Sequence, residues 1–280
     1  MEHRYSTGIL LSILGVLFLF TNVHDSQDCD TGEISALLDE PICITRGAPS
    51  HHDEAQGVSG TSAPYPAALM ATAFIRRELD TYPPDTLSER CRPEQIRLVS
   101  DLRIEGRDVS GLVIYSGPSS GTLLLSIPEN IREEDEQVVR RTFAHELFHL
   151  CEMRNDDVLE LDETWHARHH GHAQVYYGSR WRQAMEESEA PHPHGFARGY
   201  GMYNAREDRA TMAEVLLYEY EELEARMQRD RALTDKAEDV RSFYHAWFGL
   251  SEEYFVIRAE MGSRFRYEDY RVSRKKTGRE

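Results

Sequence analysis

Two histidines four residues apart, with a glutamate directly after the first, lie near the middle of the chain in the stretch RTFAHELFHL, residues 141–150. On an α-helix, residues i and i+4 lie on one face, so His145 and His149 can point at the same ion. Glu146 flanks that face. Imidazole nitrogens are zinc ligands, and a neighbouring carboxylate can accept a proton from a water molecule. The spacing therefore predicts a metal site with a general base beside it.

The surrounding residues help to decide whether the two histidines bind a metal or are ordinary solvated surface residues. The pattern H-E-x-x-H on a helix is the signature of zinc-dependent peptidases, although a chain rich in His and Glu can carry it by accident. Val139, Phe143, Leu147 and Leu150 form one apolar stripe at helical spacing, and the acidic run EEDEQ precedes them. The motif is therefore predicted to lie on a helix with a core-facing side.

A catalytic zinc site needs a third protein ligand, and three downstream groups could supply it. Two of these groups are polar histidine clusters, in WHARHHGH and HPHG, for which solvent exposure is the simpler explanation: His166, His169, His170, His172, His192 and His194. The third group is the pair Glu207 and Glu214 in the run GYGMYNAREDRATMAE. Seven residues span about 10 Å along a helix, so only one of this pair can reach the ion.

The stretch YGMYNARE, residues 200–207, resembles the region that follows H-E-x-x-H in the anthrax toxin lethal factor peptidase domain and its relatives, including the Pro-Pro endopeptidases. In that family a tyrosine precedes the zinc-binding glutamate by seven positions, the spacing of Tyr200 and Glu207. The resemblance implies that His145, His149 and Glu207 bind Zn²⁺ and that Glu146 is the general base. It also implies that Tyr200 donates a hydrogen bond to the oxyanion of the reaction intermediate.

One position departs from that family. Relatives often carry an acidic residue four positions after the glutamate, which would orient a ligand histidine, whereas this chain has Thr211. Glu214 remains as a compensating residue or as the alternative ligand, and Tyr203 remains as a competitor of Tyr200. The resemblance covers the layout of residues 66–262, but only the two motifs are specific.

The order of predicted elements indicates one α+β domain. A helix at 66–80 with Pro66 in its first turn precedes three strand-like runs, at 96–104, 108–116 and 121–127, predicted to form an antiparallel meander. Helices are predicted from about 205, near 234–248 and at 251–262. The expected fold is a zincin-like metallopeptidase domain with a small, mostly antiparallel sheet packed on the active-site helix and a helical C-terminal part.

The ends of the chain differ in composition from the middle. Residues 8–20, GILLSILGVLFLF, carry no charge, so residues 1–26 are predicted to be a signal peptide or a membrane anchor. Either one exports the protein, and a membrane association follows only if the segment is retained. Residues 27–64 are predicted as a polar linker or pro-like segment, 65–270 as the metallopeptidase domain and 271–280 as a basic tail.

Export bears on the four cysteines, Cys29, Cys43, Cys91 and Cys151. An even number in an exported protein predicts two disulfides with three possible pairings, and the pairs that close the shorter loops are Cys29–Cys43 and Cys91–Cys151. The alternative is four free thiols in a reducing compartment.

Composition narrows the range of partners. The 280 residues carry a net charge of −17, which argues against a nucleic-acid partner, while 40% hydrophobic residues suffice for a core. The expected substrate is a peptide or protein, and the predicted function is that of a zinc-dependent endopeptidase. The alternative is a catalytically inactive zinc-binding or interaction module with the same fold. The sequence leaves the oligomeric state open.

Overall fold

The structure is a computed structural model that describes residues 16–17, 42–83, 87, 91–117, 120–153, 158–169, 176–180, 182–183 and 194–277. Within these ranges a mixed sheet packs against a group of helices, which confirms the α+β class.

The sheet has seven strands: β1 (Val16–Leu17), β2 (Cys43–Arg46), β3 (Val58–Ser62), β4 (Arg92–Ile104), β5 (Arg107–Asp108), β6 (Gly111–Gly117) and β7 (Ser120–Ser126). Their order is β1-β6-β7-β4-β2, and β3 and β5 also pair with β4. The pairs β1–β6, β2–β4 and β4–β7 are parallel, whereas β3–β4, β4–β5 and β6–β7 are antiparallel.

The predicted antiparallel meander is therefore wrong in its pairing. β6 and β7 form the expected antiparallel hairpin, but β7 lies between β6 and β4 and runs parallel to β4, with Ile96 opposite Leu123. The two faces of these strands belong to different cores, since Leu123 contacts the helices and Leu124 belongs to a smaller cluster on the other face. Alternation along a strand shows which face is buried but not which strand lies alongside, so the local pattern could not give this order.

The predicted linker also needs correction, because part of residues 27–64 belongs to the sheet. β2 pairs with residues 95–98 of β4, and after the short helix α1 (His51–Ala55) β3 pairs with residues 99–104 of the same strand. A Cβ atom added at Gly60 would lie 2.5 Å from a methyl group of Val99, so the small residue permits the close approach of the strands. A Gly- and Ser-rich composition suggested a loop, but backbone pairing does not require apolar side chains.

The remaining helices are α2 (Tyr65–Leu79), α3 (Glu136–Glu152), α4 (Val158–His169), α5 (Ala205–Tyr218), α6 (Tyr220–Met227), α7 (Arg231–Phe248), α8 (Glu252–Met261) and α9 (Tyr267–Thr277). The helices predicted at 66–80, around the motif, from 205, at 234–248 and at 251–262 are confirmed. The basic tail differs from the prediction because α9 extends through most of it. Glu268 and Asp269 lie in its first turn, where they complement the helix dipole.

Helix α3 lies between the sheet and the other helices, and it packs on β6, β7, α2 and α5. A disulfide between Cys91 and Cys151, as predicted, joins its last turn to the residue before β4. Cys43 is also disulfide-bonded, and its predicted partner Cys29 lies outside the described residues. Among the described helices, none is long and apolar enough to cross a membrane.

Candidate metal centre

The structure brings His145, His149 and Glu207 together. Their nearest ligand atoms lie within 4.8 Å of one another, and all three side chains are buried. One carboxylate oxygen of Glu207, Oε2, lies 3.0 Å from Nε2 of His145 and 3.4 Å from Nε2 of His149. Two imidazoles and one carboxylate are a donor set of catalytic zinc sites. The predicted residues thus form a cluster that could bind a metal ion.

Two helices that are distant in sequence position these side chains. The histidines lie one turn apart on α3, whose apolar stripe is buried as predicted. Glu207 lies in the first turn of α5, where the side chain of Asn204 caps the helix by accepting a hydrogen bond from the Glu207 backbone N–H at 2.9 Å. α3 and α5 pack directly against each other, so the capped helix start is held beside the histidines.

Unsatisfied polar atoms support a metal ion at this point. In the described part of the chain, Nε2 of His149 and Oε1 of Glu207 are buried without a hydrogen-bond partner. Buried polar atoms in folded proteins nearly always have a partner, because desolvation without one is costly. A cation between these atoms would use their lone pairs, so the residues present fit a bound zinc ion.

Glu214 lies on the outer side of His145 and is absent from the three-residue cluster. Its Oε2 is 3.4 Å from Nδ1 of His145, and its Oε1 accepts hydrogen bonds from Arg141 and Arg198, each at 3.0 Å. A carboxylate at Nδ1 keeps a proton on that nitrogen, so Nε2 is the nitrogen that a metal ion beside Glu207 would take. The geometry thus places Glu207, rather than Glu214, with the histidines, and Glu214 lies against the other ring nitrogen of His145.

The charges of the cluster explain its pKa shifts. Burial alone would lower the pKa of His145, but its contacts with Glu207 and Glu214 outweigh burial and raise that pKa well above its usual value. Burial alone would raise the pKa of Glu207, but the two histidines hold it far below the usual range. The Glu207 carboxylate is therefore ionised across the physiological range, as a metal ligand must be.

Glu146 differs from Glu207 although both are buried. Burial, as the largest influence, raises its pKa to about 7 despite the opposing charges of His145 and His149. Its side chain packs closely on β6, since a Cβ atom added at Gly111 would lie 2.6 Å from its Cγ and 2.7 Å from its Oε1. The side chain thus faces the cavity from a place that a larger residue at Gly111 would obstruct.

Tyr200 lies in a 3-10 turn, Gly199–Met202, just before α5. Its ring centroid is 5.9 Å from that of His145. Burial, followed by the charge of Glu207, raises the pKa of its phenol well above the usual value, so the phenol keeps its proton. Tyr203, the competitor, stacks against Tyr200 with centroids 6.5 Å apart, but it is not among the described residues that line the cavity.

The cluster opens into a cavity of about 450 Å³. Its lining includes the segment 108–111 at the start of β6 and residues of α3 and α5. Glu146, Tyr200 and the three cluster residues all line this cavity. All five predicted site residues therefore border the same space.

The histidine clusters do not supply the third ligand in the described residues. His169 is buried and pairs with Asp239, its Nε2 lying 3.1 Å from Oδ2 of that residue. His194 is exposed, and His166 stacks on Tyr176. His170, His172 and His192 lie outside the described residues.

Sequence reasoning did not identify Gly111, Arg141 and Arg198 as part of the site. Arg141 offered a signal, since it lies one helical turn before His145 on the same face of α3. Gly111 and Arg198 come from separate segments, and nothing in their spacing relates them to the motif. Their proximity to the cluster is a consequence of the fold.

No protein-family model matches the sequence, and no curated protein matches it. Among solved structures, the chain resembles a "putative zinc-binding metallo-peptidase" from Bacteroides caccae with 12% sequence identity and a TM-score of 0.47, over 69% of this chain and 76% of that chain. The resemblance to the lethal factor group stays a prediction.

Proposed function

We propose that this protein is a zinc-dependent endopeptidase. The observation that carries the proposal is the convergence of His145, His149 and Glu207 at the floor of a cavity that Glu146 and Tyr200 also line. A purely structural zinc site would be closed by four protein ligands and would commonly contain cysteine. Here three ligands face an open cavity, and a base and a hydrogen-bond donor stand beside them.

The metal cluster, Glu146 and Tyr200 each have a defined part in the proposed reaction. A Zn²⁺ ion held by the cluster would polarise the peptide carbonyl and acidify a water molecule. Glu146 accepts a proton from the attacking water as its oxygen bonds to the carbonyl carbon. Tyr200 donates its phenol hydrogen to the carbonyl oxygen as that atom becomes negative. Glu146 then returns the proton to the amide nitrogen as the C–N bond breaks, giving a carboxylate and an amine.

Export of the protein is part of the proposal. The Cys91–Cys151 disulfide supports it, because disulfides persist in oxidising compartments and are rare in the cytosol. The substrate would then be a peptide or protein outside the cytoplasm.

The proposal is tested with Glu146→Gln, which keeps the size of the side chain but cannot accept the proton. We expect peptide hydrolysis to fall by about 10²- to 10⁴-fold. Zinc content, measured by elemental analysis of protein purified without a histidine tag, is expected to remain one ion per chain. Full activity of the variant on a mixed peptide library would remove Glu146 from the mechanism.

The same measurements address the alternative function. A wild-type protein that binds zinc but hydrolyses no peptide in the library would favour a catalytically inactive binding module. The retained Glu146 and Tyr200 argue against that alternative, since a binding module needs neither a base nor an oxyanion donor.

A further inference from the structure

A buried ion pair lies directly behind the metal cluster. Asp208 follows Glu207 in α5, and its Oδ2 is 2.6 Å from Nζ of Lys236 on α7. Both side chains are 0% exposed, and neither is among the described residues that line the cavity. Two charges leave water at a cost of several kcal/mol each, and an apolar pair of similar volume often stabilises a fold as well. Fold stability alone therefore does not account for this pair.

Lys236 also holds the segment that carries Tyr200. We name residues 195–203 the tyrosine loop. The Lys236 ammonium donates a hydrogen bond to the backbone oxygen of Gly195 at 2.7 Å and lies 4.2 Å from the ring centroid of Phe196. One ammonium group thus contacts both the helix that carries Glu207 and the first residues of the tyrosine loop.

Further contacts restrict the same loop. Arg226 donates hydrogen bonds to the backbone oxygens of Phe196 and Ala197, at 2.6 Å and 2.7 Å, and Asp230 accepts one from the backbone N–H of Gly195 at 2.6 Å. These contacts fix the start of the loop to α6 and to the N-cap residue of α7. The start of the loop therefore has little freedom to move relative to the helices.

Asp208 also contacts the other end of the tyrosine loop. A Cβ atom added at Gly201, the residue after Tyr200, would lie 3.1 Å from Oδ1 of Asp208. Trp165 and Tyr176 donate hydrogen bonds to Oδ2 of Asp208 at 3.1 Å and 2.9 Å, which fixes the orientation of that carboxylate. The loop therefore rests on Asp208 next to Tyr200 and on Lys236 at Gly195.

We infer that Asp208 and Lys236 are positioning residues, which set the distance between the Tyr200 phenol and the Glu207 carboxylate. The kinetic consequence rests on the proposed endopeptidase function. Neither residue touches the reacting atoms. Their effect on catalysis passes through the placement of Tyr200, and a displacement of about 1 Å at such a donor can cost about a hundredfold in rate.

The kinetic test uses the double variant Asp208→Asn/Lys236→Met, which removes both charges together and releases the Gly195 oxygen. We expect kcat to fall by about a hundredfold while KM and zinc content stay unchanged. Adding Tyr200→Phe to this variant should lower kcat little further, because both changes remove the contribution of the Tyr200 phenol to catalysis. If the triple variant instead shows the product of the fold-decreases in kcat of the double variant and of Tyr200→Phe, the pair acts independently of Tyr200 and the inference is wrong.

A second measurement does not depend on activity. The 14 tyrosines are labelled as 3-fluorotyrosine, and Tyr200→Phe identifies the ¹⁹F NMR resonance of Tyr200. We expect the double variant to shift this resonance, with and without added zinc. An unchanged resonance would overturn the inference. If the wild-type protein hydrolyses no peptide but the resonance shifts, the proposed function fails while the positioning pair stands.

Val240→Ala is the matched control, since Val240 is a buried residue of the same helix. It creates a cavity and lowers stability, but it should leave both kcat and the Tyr200 resonance unchanged. If the double variant does not fold, Gly201→Ala tests the same contact from the loop, because its methyl group presses on Asp208. That variant should shift the Tyr200 resonance and lower kcat. The absence of either effect would contradict the inference.

Discussion

Three glutamates around the candidate metal centre have different properties because their neighbours differ. Glu207 is held ionised by two histidines, whereas burial raises the pKa of Glu146 to about 7. Glu214 is bracketed by two arginines and contacts the far nitrogen of His145. In the proposed mechanism one residue type would thus provide a metal ligand, a proton acceptor and an orienting group. The assignment of roles depends on charge and burial at each position.

The contact between Gly111 and Glu146 gives a prediction at the residue scale. In Gly111→Ala the new methyl group would overlap the Glu146 side chain, which is flexible and can move aside. We therefore expect little loss of stability but a fall in kcat of about a hundredfold, because the base leaves its position. Steady-state kinetics with a thermal melt would measure both quantities.

Gly47→Ala is the control for this prediction. The nearest neighbour of a Cβ atom at Gly47 is Cδ of Arg97 at 3.8 Å, an ordinary contact distance far from the motif in sequence. It should leave kcat unchanged. A normal kcat in Gly111→Ala as well would mean that Glu146 tolerates displacement.

The sequence predicted individual residues where a regular spacing relates them. His145, Glu146 and His149 follow from the helical spacing of the motif, and Glu207 and Glu214 were candidates for the third ligand from the residues themselves. The family resemblance favoured Glu207 and supplied Tyr200. Lys236 was missed because a lysine in a polar helix is normally solvated. A signal was present, since Lys236 interrupts the buried stripe that includes Ala232, Ala237 and Val240 on α7.

At the scale of elements, the position of α3 determines the site. Its N-terminal half pairs with α2 through Arg140 and Glu78, whose Nε and Oε2 atoms are 3.1 Å apart, and its last turn is tied covalently to the start of β4. That this segment forms a helix was predictable from the spacing of its apolar residues. The parallel pairing of β4 with β7 was not, because strand partners are chosen by contacts between residues distant in the sequence.

The Cys91–Cys151 disulfide gives a prediction at this scale. It closes a loop with a sequence separation of 60 residues, and both cysteines are buried. Chain entropy predicts that Cys91→Ala/Cys151→Ala lowers the free energy of unfolding by about 4 kcal/mol. Urea denaturation of both proteins would measure the difference. A loss below about 1 kcal/mol would indicate that the unfolded chain is compact without the disulfide.

For the whole molecule, a buried charge network joins four helices behind the site. Glu78 of α2 accepts hydrogen bonds from Arg258 of α8 at 2.6 Å and 2.9 Å, from Arg140 of α3 at 3.1 Å and from Tyr218 of α5. Glu78 and Arg258 are 0% and 2% exposed. The network therefore links helices that are far apart in the sequence. No local sequence pattern predicted these contacts.

The pH dependence of stability follows from this network. Burial alone would raise the pKa of Glu78, but the charges of Arg258 and Arg140 together outweigh burial and hold that pKa below its usual value. A carboxyl group with a lowered folded-state pKa stabilises the fold above its unfolded-state pKa, about 4.3. That contribution is lost as the pH falls through the folded-state value. Acidification below about pH 4.3 should therefore weaken the contact between α2, α3 and α8.

Glu78→Gln tests this dependence. At neutral pH the variant should lose about 3–5 kcal/mol of unfolding free energy, because Arg258 and Arg140 stay buried without a compensating charge. The gap between wild type and variant should shrink as the pH falls from about 4.3 towards the lower folded-state pKa of Glu78, because the unfolded wild-type chain binds the proton before the folded protein does. Denaturation of metal-free protein from pH 3 to 7 measures the gap without a contribution from metal binding. A gap that stays constant over this range would mean that folding does not lower the pKa of Glu78.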